Sequence, residues 1–311
     1  MEQMNLSLKL LDVDVPTDVS HPEGMQVVFG DREDKYMANY YPDIEYVKYG
    51  ERALRLNLIK PTFQLDPAPL LIFIQGSAWL PQQRYEAIPQ LSDFAHQGYV
   101  VASVEYRHSL EAKFPAQIQD VLTAIRFLKA NAQQFQIDPN RVAVWGDSSG
   151  GHLSSLVGMS EGVDAFMNEH YMDQSNDVRA VINFCGPSDL LQLSKFPSLM
   201  NHDEADSPAS LLIGGPIQEN RDKAAAANPI NYIDSAKPLP PFLIMHGDRD
   251  ELIPFQQSVL LYEALRDAGQ DVTFYKVKGA SHRMGLWNPT VFKVVSDFLK
   301  ANLSLHPNTF R

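Results

Sequence analysis

Val142-Ala143-Val144-Trp145 runs directly into Gly146-Asp147-Ser148-Ser149-Gly150, and the small-residue stretch Gly151-His152-Leu153-Ser154-Ser155-Leu156-Val157-Gly158-Met159 follows. The apolar run predicts a short buried strand, and the stretch after it predicts a helix packed close under a sheet. Between them, Gly-x-Ser-x-Gly predicts a sharp strand-to-helix turn that lifts the Ser148 hydroxyl clear of the backbone. Both glycines have a steric reason, because the chain passes close to itself around a strained serine and a Cβ would collide there. A serine held this way is a nucleophile for acyl transfer. It requires a general base, a carboxylate to orient that base, and donors for an oxyanion.

The flanking sequence supplies the sheet. Ile44 to Tyr49 and Ala53 to Ile59 alternate like antiparallel strands joined at Gly50-Glu51. Leu70 to Ile74, Tyr99 to Glu105, Val178 to Phe184, Pro241 to Met245 and Val272 to Val277 predict further strands. Helices are expected over Arg84 to His96, Pro115 to Gln134, Phe255 to Ala268 and Thr290 to Leu299. Within the second of these, Ile118, Val121, Leu122, Ile125 and Leu128 fall on one stripe. This alternation predicts an α/β fold with a mostly parallel, doubly wound sheet and helices on both faces. Ligands in such sheets bind at the carboxyl ends of the strands, where Ser148 is expected.

Two other turns at that edge carry the remaining chemistry. The turn after Pro241–Met245 reads His246-Gly247-Asp248-Arg249-Asp250-Glu251. Asp250 is the expected orienting acid, with Asp248 and Glu251 as rivals and Asp248 also suited to holding the turn through its own side chain. After the last strand comes Gly279-Ala280-Ser281-His282. His282 is the expected base, because serine, acid and histidine then occur in the order of one established triad arrangement, each after a strand. His246 is expected to be structural and His152 to point away from Ser148. The loop Gln75-Gly76-Ser77-Ala78-Trp79 follows the Leu70–Ile74 strand. The backbone N–H groups of Ser77 and Ala78, with that of Ser149 at the start of a helix, are the expected oxyanion donors.

Composition narrows the class. The 311 residues carry 26 basic and 38 acidic side chains, a formal charge of −12, and 44% are hydrophobic. So acidic a surface repels nucleic acid and anionic membranes. Cys185 is the one cysteine, so no intrachain disulfide forms. The first residues show no basic leader with a long apolar run, and no apolar run reaches membrane-spanning length, so a soluble cytoplasmic protein is expected. No His- or Cys-rich spacing suggests a metal site, and a serine triad needs no cofactor.

With these residues in hand, the chain resembles the esterase/lipase branch of the α/β-hydrolases that includes the hormone-sensitive-lipase-like enzymes and the bifunctional feruloyl and acetyl-xylan (BD-FAE-like) esterases. GSAW at 76–79, EYR at 105–107, FPAQIQDV at 114–121, GDSSGGH at 146–152, HGDRD at 246–250 and SH at 281–282 carry the resemblance. It implies an α/β-hydrolase domain over 43–303, an N-terminal extension over 1–42, an insertion near the pocket at about 188–233 and a tail at 304–311. It also implies Ser148 as nucleophile, Asp250 as acid and His282 as base. Gln75 stands where that branch carries histidine, and Ser77 where it carries glycine. Trp79, Phe196, Met200, Met284 and Trp287 are candidates for the substrate pocket. The implied reaction is hydrolysis of short-chain acyl or acetyl esters, including those of acetylated or feruloylated carbohydrate fragments, with a small-molecule ester as the sole partner and a dimer left open. An amidase of the kynurenine-formamidase kind is the alternative, and a non-catalytic ligand receptor ranks lower.

Overall fold

A computed structural model describes residues 23–26, 28, 37–62, 64, 66–282 and 284–303. Among the described residues, eight strands form one sheet in the order β1-β2-β4-β3-β5-β6-β7-β8. They are β1 (Ala38–Tyr49), β2 (Arg52–Pro61), β3 (Ala68–Ile74), β4 (Val100–Val104), β5 (Ile137–Asp147), β6 (Ala180–Phe184), β7 (Phe242–Gly247) and β8 (Val272–Val277). β1 and β2 pair antiparallel, β2 pairs antiparallel with β4, and every later pairing is parallel. The sheet is therefore mostly parallel, as the alternation predicts. β1 begins at Ala38, ahead of the boundary expected at residue 43; most of the expected extension, and the tail at 304–311, lie outside the described residues.

The helices are α1 (Ile88–His96), α2 (Ala116–Ala130), α3 (Ala132–Phe135), α4 (Ser149–Gly158), α5 (Pro208–Ile213), α6 (Arg221–Ala226), α7 (Gln256–Asp267) and α8 (Pro289–Leu303). Two departures from expectation have local causes. α1 starts at Ile88 rather than Arg84, because Pro89 suits only the first helical turn and Glu86 N–H is turned back onto Gln83 O. The long helix expected to Gln134 breaks at Asn131, whose side-chain amide donates to Phe127 O, and α3 stops at Gln136 with φ of 56°.

Strand alternation divides the core in two. Leu70, Ile72, Ile74, Val142 and Val144 face α2, α4 and α7 through Val121, Leu153 and Leu261. Leu71, Phe73, Ala143 and Trp145 face α1 and α8 through Phe94, Val295 and Leu299. Burial on both faces is why these strands read as unbroken apolar runs. Trp145 sits at the centre of the second layer, stacked on Trp287 at 5.3 Å and edge-on to Phe73 and Phe94.

Two sequence motifs serve this packing. Arg107 donates from Nε and Nη2 to the two carboxylate oxygens of Asp120, each at 2.8 Å, and its backbone N–H donates to the same carboxylate. The guanidinium also lies 3.9 Å from the centre of the Tyr49 ring. EYR at the end of β4 is thereby locked to the first turns of α2. A fully buried acid such as Asp120 is tolerable only with partners of this quality.

At the elbow the chain leaves no room for side chains. A Cβ on Gly150 would fall 1.8 Å from the backbone oxygen of Ile74, and one on Gly146 would fall 2.2 Å from Gly150 O. Neither neighbour is a flexible side chain. Gly150→Ala is expected to destabilise the protein by about 3 kcal/mol, at the upper end of overpacking effects. Thermal denaturation checks this, and a variant that melts together with the parent would contradict the packing.

Candidate active site

Ser148 lies between β5 and α4 with φ of 53° and ψ of −124°. That left-handed φ is strained for a residue bearing a side chain. The Ser148 N–H donates to Phe184 O at 2.8 Å, and the Ser148 carbonyl accepts the first helical bond, from His152 N–H at 3.0 Å. The hydroxyl is left projecting from the carboxyl end of the sheet.

His282 and Asp250 meet it there. His282 Nε2 is 3.0 Å from Ser148 Oγ, and His282 Nδ1 is 2.8 Å from Asp250 Oδ2. A carboxylate oxygen only accepts, so Nδ1 carries the proton and bare Nε2 accepts from the serine hydroxyl. Asp250 is fixed in turn. Its Oδ1 accepts the N–H groups of Leu252 at 2.9 Å and Ile253 at 2.8 Å. Burial alone would raise its carboxyl, but hydrogen bonds from His246 and His282 outweigh that and hold it well below the usual carboxylate range. A permanently ionised Asp250 is what an imidazolium at position 282 requires.

The rival acids have other work. Asp248 accepts the Gly279 N–H at 2.6 Å and ties the β7 and β8 turns together. Glu251 accepts the His282 backbone N–H at 3.2 Å. Beyond its expected structural bonding, His246 is a second partner of the acid. Its Nε2 lies 3.1 Å from both Asp250 Oδ2 and Ile253 O, and its Nδ1 is 2.7 Å from Ser258 Oγ. The His-x-x-x-Asp spacing at a strand end was the available signal for that contact. His152 is turned away as expected: its Nε2 faces Ala227 O at 2.7 Å and its Nδ1 accepts from Trp79 Nε1 at 3.2 Å. Burial pulls its pKa down to about 4, so the ring is neutral at neutral pH.

The oxyanion loop differs from expectation in one donor. Ser77 N–H donates to Ser149 Oγ at 2.9 Å, and Gly76 N–H donates to Asp147 Oδ1 at 2.9 Å. Ser77 is thus engaged, whereas the Ala78 N–H has no partner among the described residues. Ser149, the first residue of α4, presents a helix-start N–H with no intrahelical acceptor. Ala78 and Trp79 both adopt left-handed φ, 55° and 54°, where glycine would be relaxed. Gln75, in place of histidine, donates from Nε2 to Glu86 at 3.0 Å.

Two cavities open from Ser148 and His282. The larger, about 730 Å³, is walled by Gln75, Gln83, Glu86, Gln90, Asp147 and Trp287 among others, and no lysine or arginine among the described residues lines it. The smaller, about 50 Å³, is walled mainly by apolar groups, including Trp79, Pro187, Leu193, Met200, Ala209 and Ile253. Of the five pocket candidates, Trp79 and Met200 line the smaller cavity and Trp287 the larger. Phe196 and Met284 line neither cavity; Phe196 is half-buried and Met284 is 75% exposed. Pro187, Leu193 and Ala209 were missed, because the loops and helices of six residues or fewer that carry them are too short to show a periodicity that tells which side chains turn inward. Cys185 Sγ, Asp250 and His282 offer atoms within 4.8 Å of one another. Burial pushes the Cys185 thiol far up, and the two other groups are bonded to each other, so this trio suits a metal poorly.

The profile of the BD-FAE family matches residues 56–265. Esterase LipC of Mycobacterium tuberculosis is 33% identical over 71% of this chain and 54% of its own length. The chain thus spans about half the length of the curated relatives it matches. Among solved structures, a truncated carbohydrate esterase from gut microbiota superposes with a TM-score of 0.78 at 32% identity, covering 87% of this chain and 98% of that one. A bifunctional GH43-CE protein of Bacteroides eggerthii gives 0.76 at 33% identity, over 85% and 38%. A fold shared almost end to end with the first of these, and a profile match over more than half of the sequence, establish that the chain has the α/β-hydrolase fold and belongs to the BD-FAE family.

Proposed function

We propose that this chain is a serine carboxylic-ester hydrolase that removes short acyl groups, acetyl first among them, from bulky hydroxylated alcohols such as carbohydrate fragments. The observation that carries the reading is the unbroken chain of contacts from Asp250 through His282 to Ser148, flanked by one very small apolar cavity and one large cavity of mixed polar and apolar lining.

In the proposed reaction Ser148 passes its proton to His282 Nε2 while its oxygen attacks the ester carbonyl. The oxyanion that forms is stabilised by the N–H groups of Ala78 and Ser149, each such donor being worth about 100- to 1000-fold in rate. Asp250 stabilises the imidazolium. His282 then returns the proton to the departing alcohol oxygen, which leaves an acyl group on Ser148. Water, deprotonated by the same imidazole, releases the acid and restores the serine.

The two cavities divide the substrate. About 50 Å³ has room for only a few waters, each of which needs roughly 10–15 Å³ on the same measure. It takes a methyl group and not an aromatic acid, so acetyl fits this side and feruloyl does not. The larger cavity offers amide and carboxylate groups to sugar hydroxyls, with Trp287 as an apolar wall. Glu86 and Asp147 in that wall disfavour anionic alcohols. The similar structure from gut microbiota is that of a carbohydrate esterase, which supports the same class.

Ser148→Ala should abolish hydrolysis of p-nitrophenyl acetate, and undiminished turnover would end the assignment. Asp250→Asn should lower kcat by about 10⁴-fold with little change in KM, by analogy with losing the orienting acid of other serine triads. Across p-nitrophenyl acetate, butyrate and octanoate, kcat/KM should fall steeply for the parent, and Met200→Ala should move the optimum to longer chains. A parent that prefers octanoate would remove the acetyl reading while leaving ester hydrolysis standing.

A further inference from the structure

The loop that carries the Ala78 N–H is held in a conformation that its own residues resist. Ala78 and Trp79 stand consecutively in the left-handed region although neither is glycine. Such strain persists only where surrounding contacts over-determine it. Some of those contacts fasten the far end of the loop: Ser109 donates to Trp79 O from its N–H at 2.7 Å and from its hydroxyl at 3.0 Å, and Trp79 Nε1 donates to His152.

The near end, beside Ser148, is fastened by three hydroxyl groups. The Ser77 hydroxyl donates to Leu80 O at 2.6 Å, which leaves its oxygen to accept. The Tyr106 hydroxyl lies 3.1 Å from that oxygen and 3.2 Å from Gln75 O, and it donates toward both. Ser149 Oγ lies 3.3 Å from the Tyr106 oxygen and accepts the Ser77 N–H at 2.9 Å. Its own proton is therefore free to point at Tyr106. Tyr106 is fully buried, and burial pushes its hydroxyl up to about 12, so it stays protonated throughout the working pH range. One phenolic oxygen thus touches the oxyanion loop at Gln75 and Ser77 and the nucleophile helix at Ser149.

The proposed oxyanion donors sit on those same two pieces of chain: the Ala78 N–H on the loop and the Ser149 N–H on the helix. We infer that Tyr106, acting through Ser77 and the Ser149 side chain, is a positioning residue that sets the spacing between the two oxyanion donors. The assignment rests on the ester-hydrolase reading above. It also accounts for the side chains at 77 and 149: each hydroxyl supplies a bond that fixes the loop against its strain.

The test compares Tyr106→Phe, which removes one oxygen and keeps the ring, with the parent. On p-nitrophenyl acetate, kcat should fall about 10- to 100-fold, the scale of a small misplacement of a reacting group, while KM moves by less than about threefold. A trifluoromethyl ketone adds covalently to Ser148 as the serine proton passes to His282, and so forms a hemiketal oxyanion. Its affinity should fall in parallel with kcat, which a general loss of stability would not produce in the still-folded fraction. Ser149→Ala should show the same split, and the double variant should be no worse than the poorer single one, as expected for groups that act as a unit. If Tyr106→Phe does not fold, Ser149→Ala alone carries the test. Unchanged kcat, a fall in kcat with unchanged ketone affinity, or fully multiplicative effects in the double variant would overturn the assignment. An active parent with these results overturns only the role of Tyr106, whereas a parent without esterase activity overturns both readings.

Discussion

The close approach of the Gly150 backbone to the carbonyl of Ile74 sets the whole site. It brings the end of β3 against the start of α4 with no side chain between them. The loop leaving β3 and the serine leaving β5 can share one small volume only because this contact is that tight. The parallel register of β3 on β5, with Ile74 opposite Gly146, delivers both ends to the same edge of the sheet. Packing on both faces by the two apolar layers makes that edge rigid, because each strand is anchored by side chains above and below. Rigidity matters here, since oxyanion donors act by being fixed before charge develops.

Electrostatics at the site follow from the same economy of space. Asp250 has no accessible side-chain surface, yet it remains charged because two imidazoles and two backbone N–H groups converge on it. An acid buried with fewer partners would take up a proton and lose its hold on the His282 tautomer. His246 therefore does more than fill space below the triad. Its proton on Nε2 is shared between Asp250 and Ile253 O, and Ser258 fixes the other face of the ring.

Much of this was legible in the sequence because it depends on local rules. Gly146 and Gly150 announce close backbone approach, the apolar runs at 70–74 and 142–145 announce strands buried on both faces, and Ser148, Asp250 and His282 each follow a strand. What stayed hidden depends on contacts between distant segments. Nothing local tells Ser77 to spend its N–H on Ser149, or distinguishes Met200, which lines a cavity, from Phe196 and Met284, which do not. The break at Asn131 turns on one side-chain bond to Phe127 O, which helical periodicity does not encode. Tyr106 stood in a recognisable motif, but its meaning lies in a hydroxyl that meets three groups on two distant segments at once.

The small cavity has walls of mixed origin. Pro187, Leu193, Met200, Pro208 and Ala209 all come from the long connection between β6 and β7, Pro208 and Ala209 from the short helix α5 within it, whereas Ser148, Asp250 and His282 follow regular strands. Much of that wall thus belongs to a different part of the chain from the three polar side chains, although Trp79 and Ile253 enter it from the loop after β3 and the turn after β7. The walls of this cavity can therefore change with that connection while the strands that carry Ser148, Asp250 and His282, and the core that supports them, remain untouched.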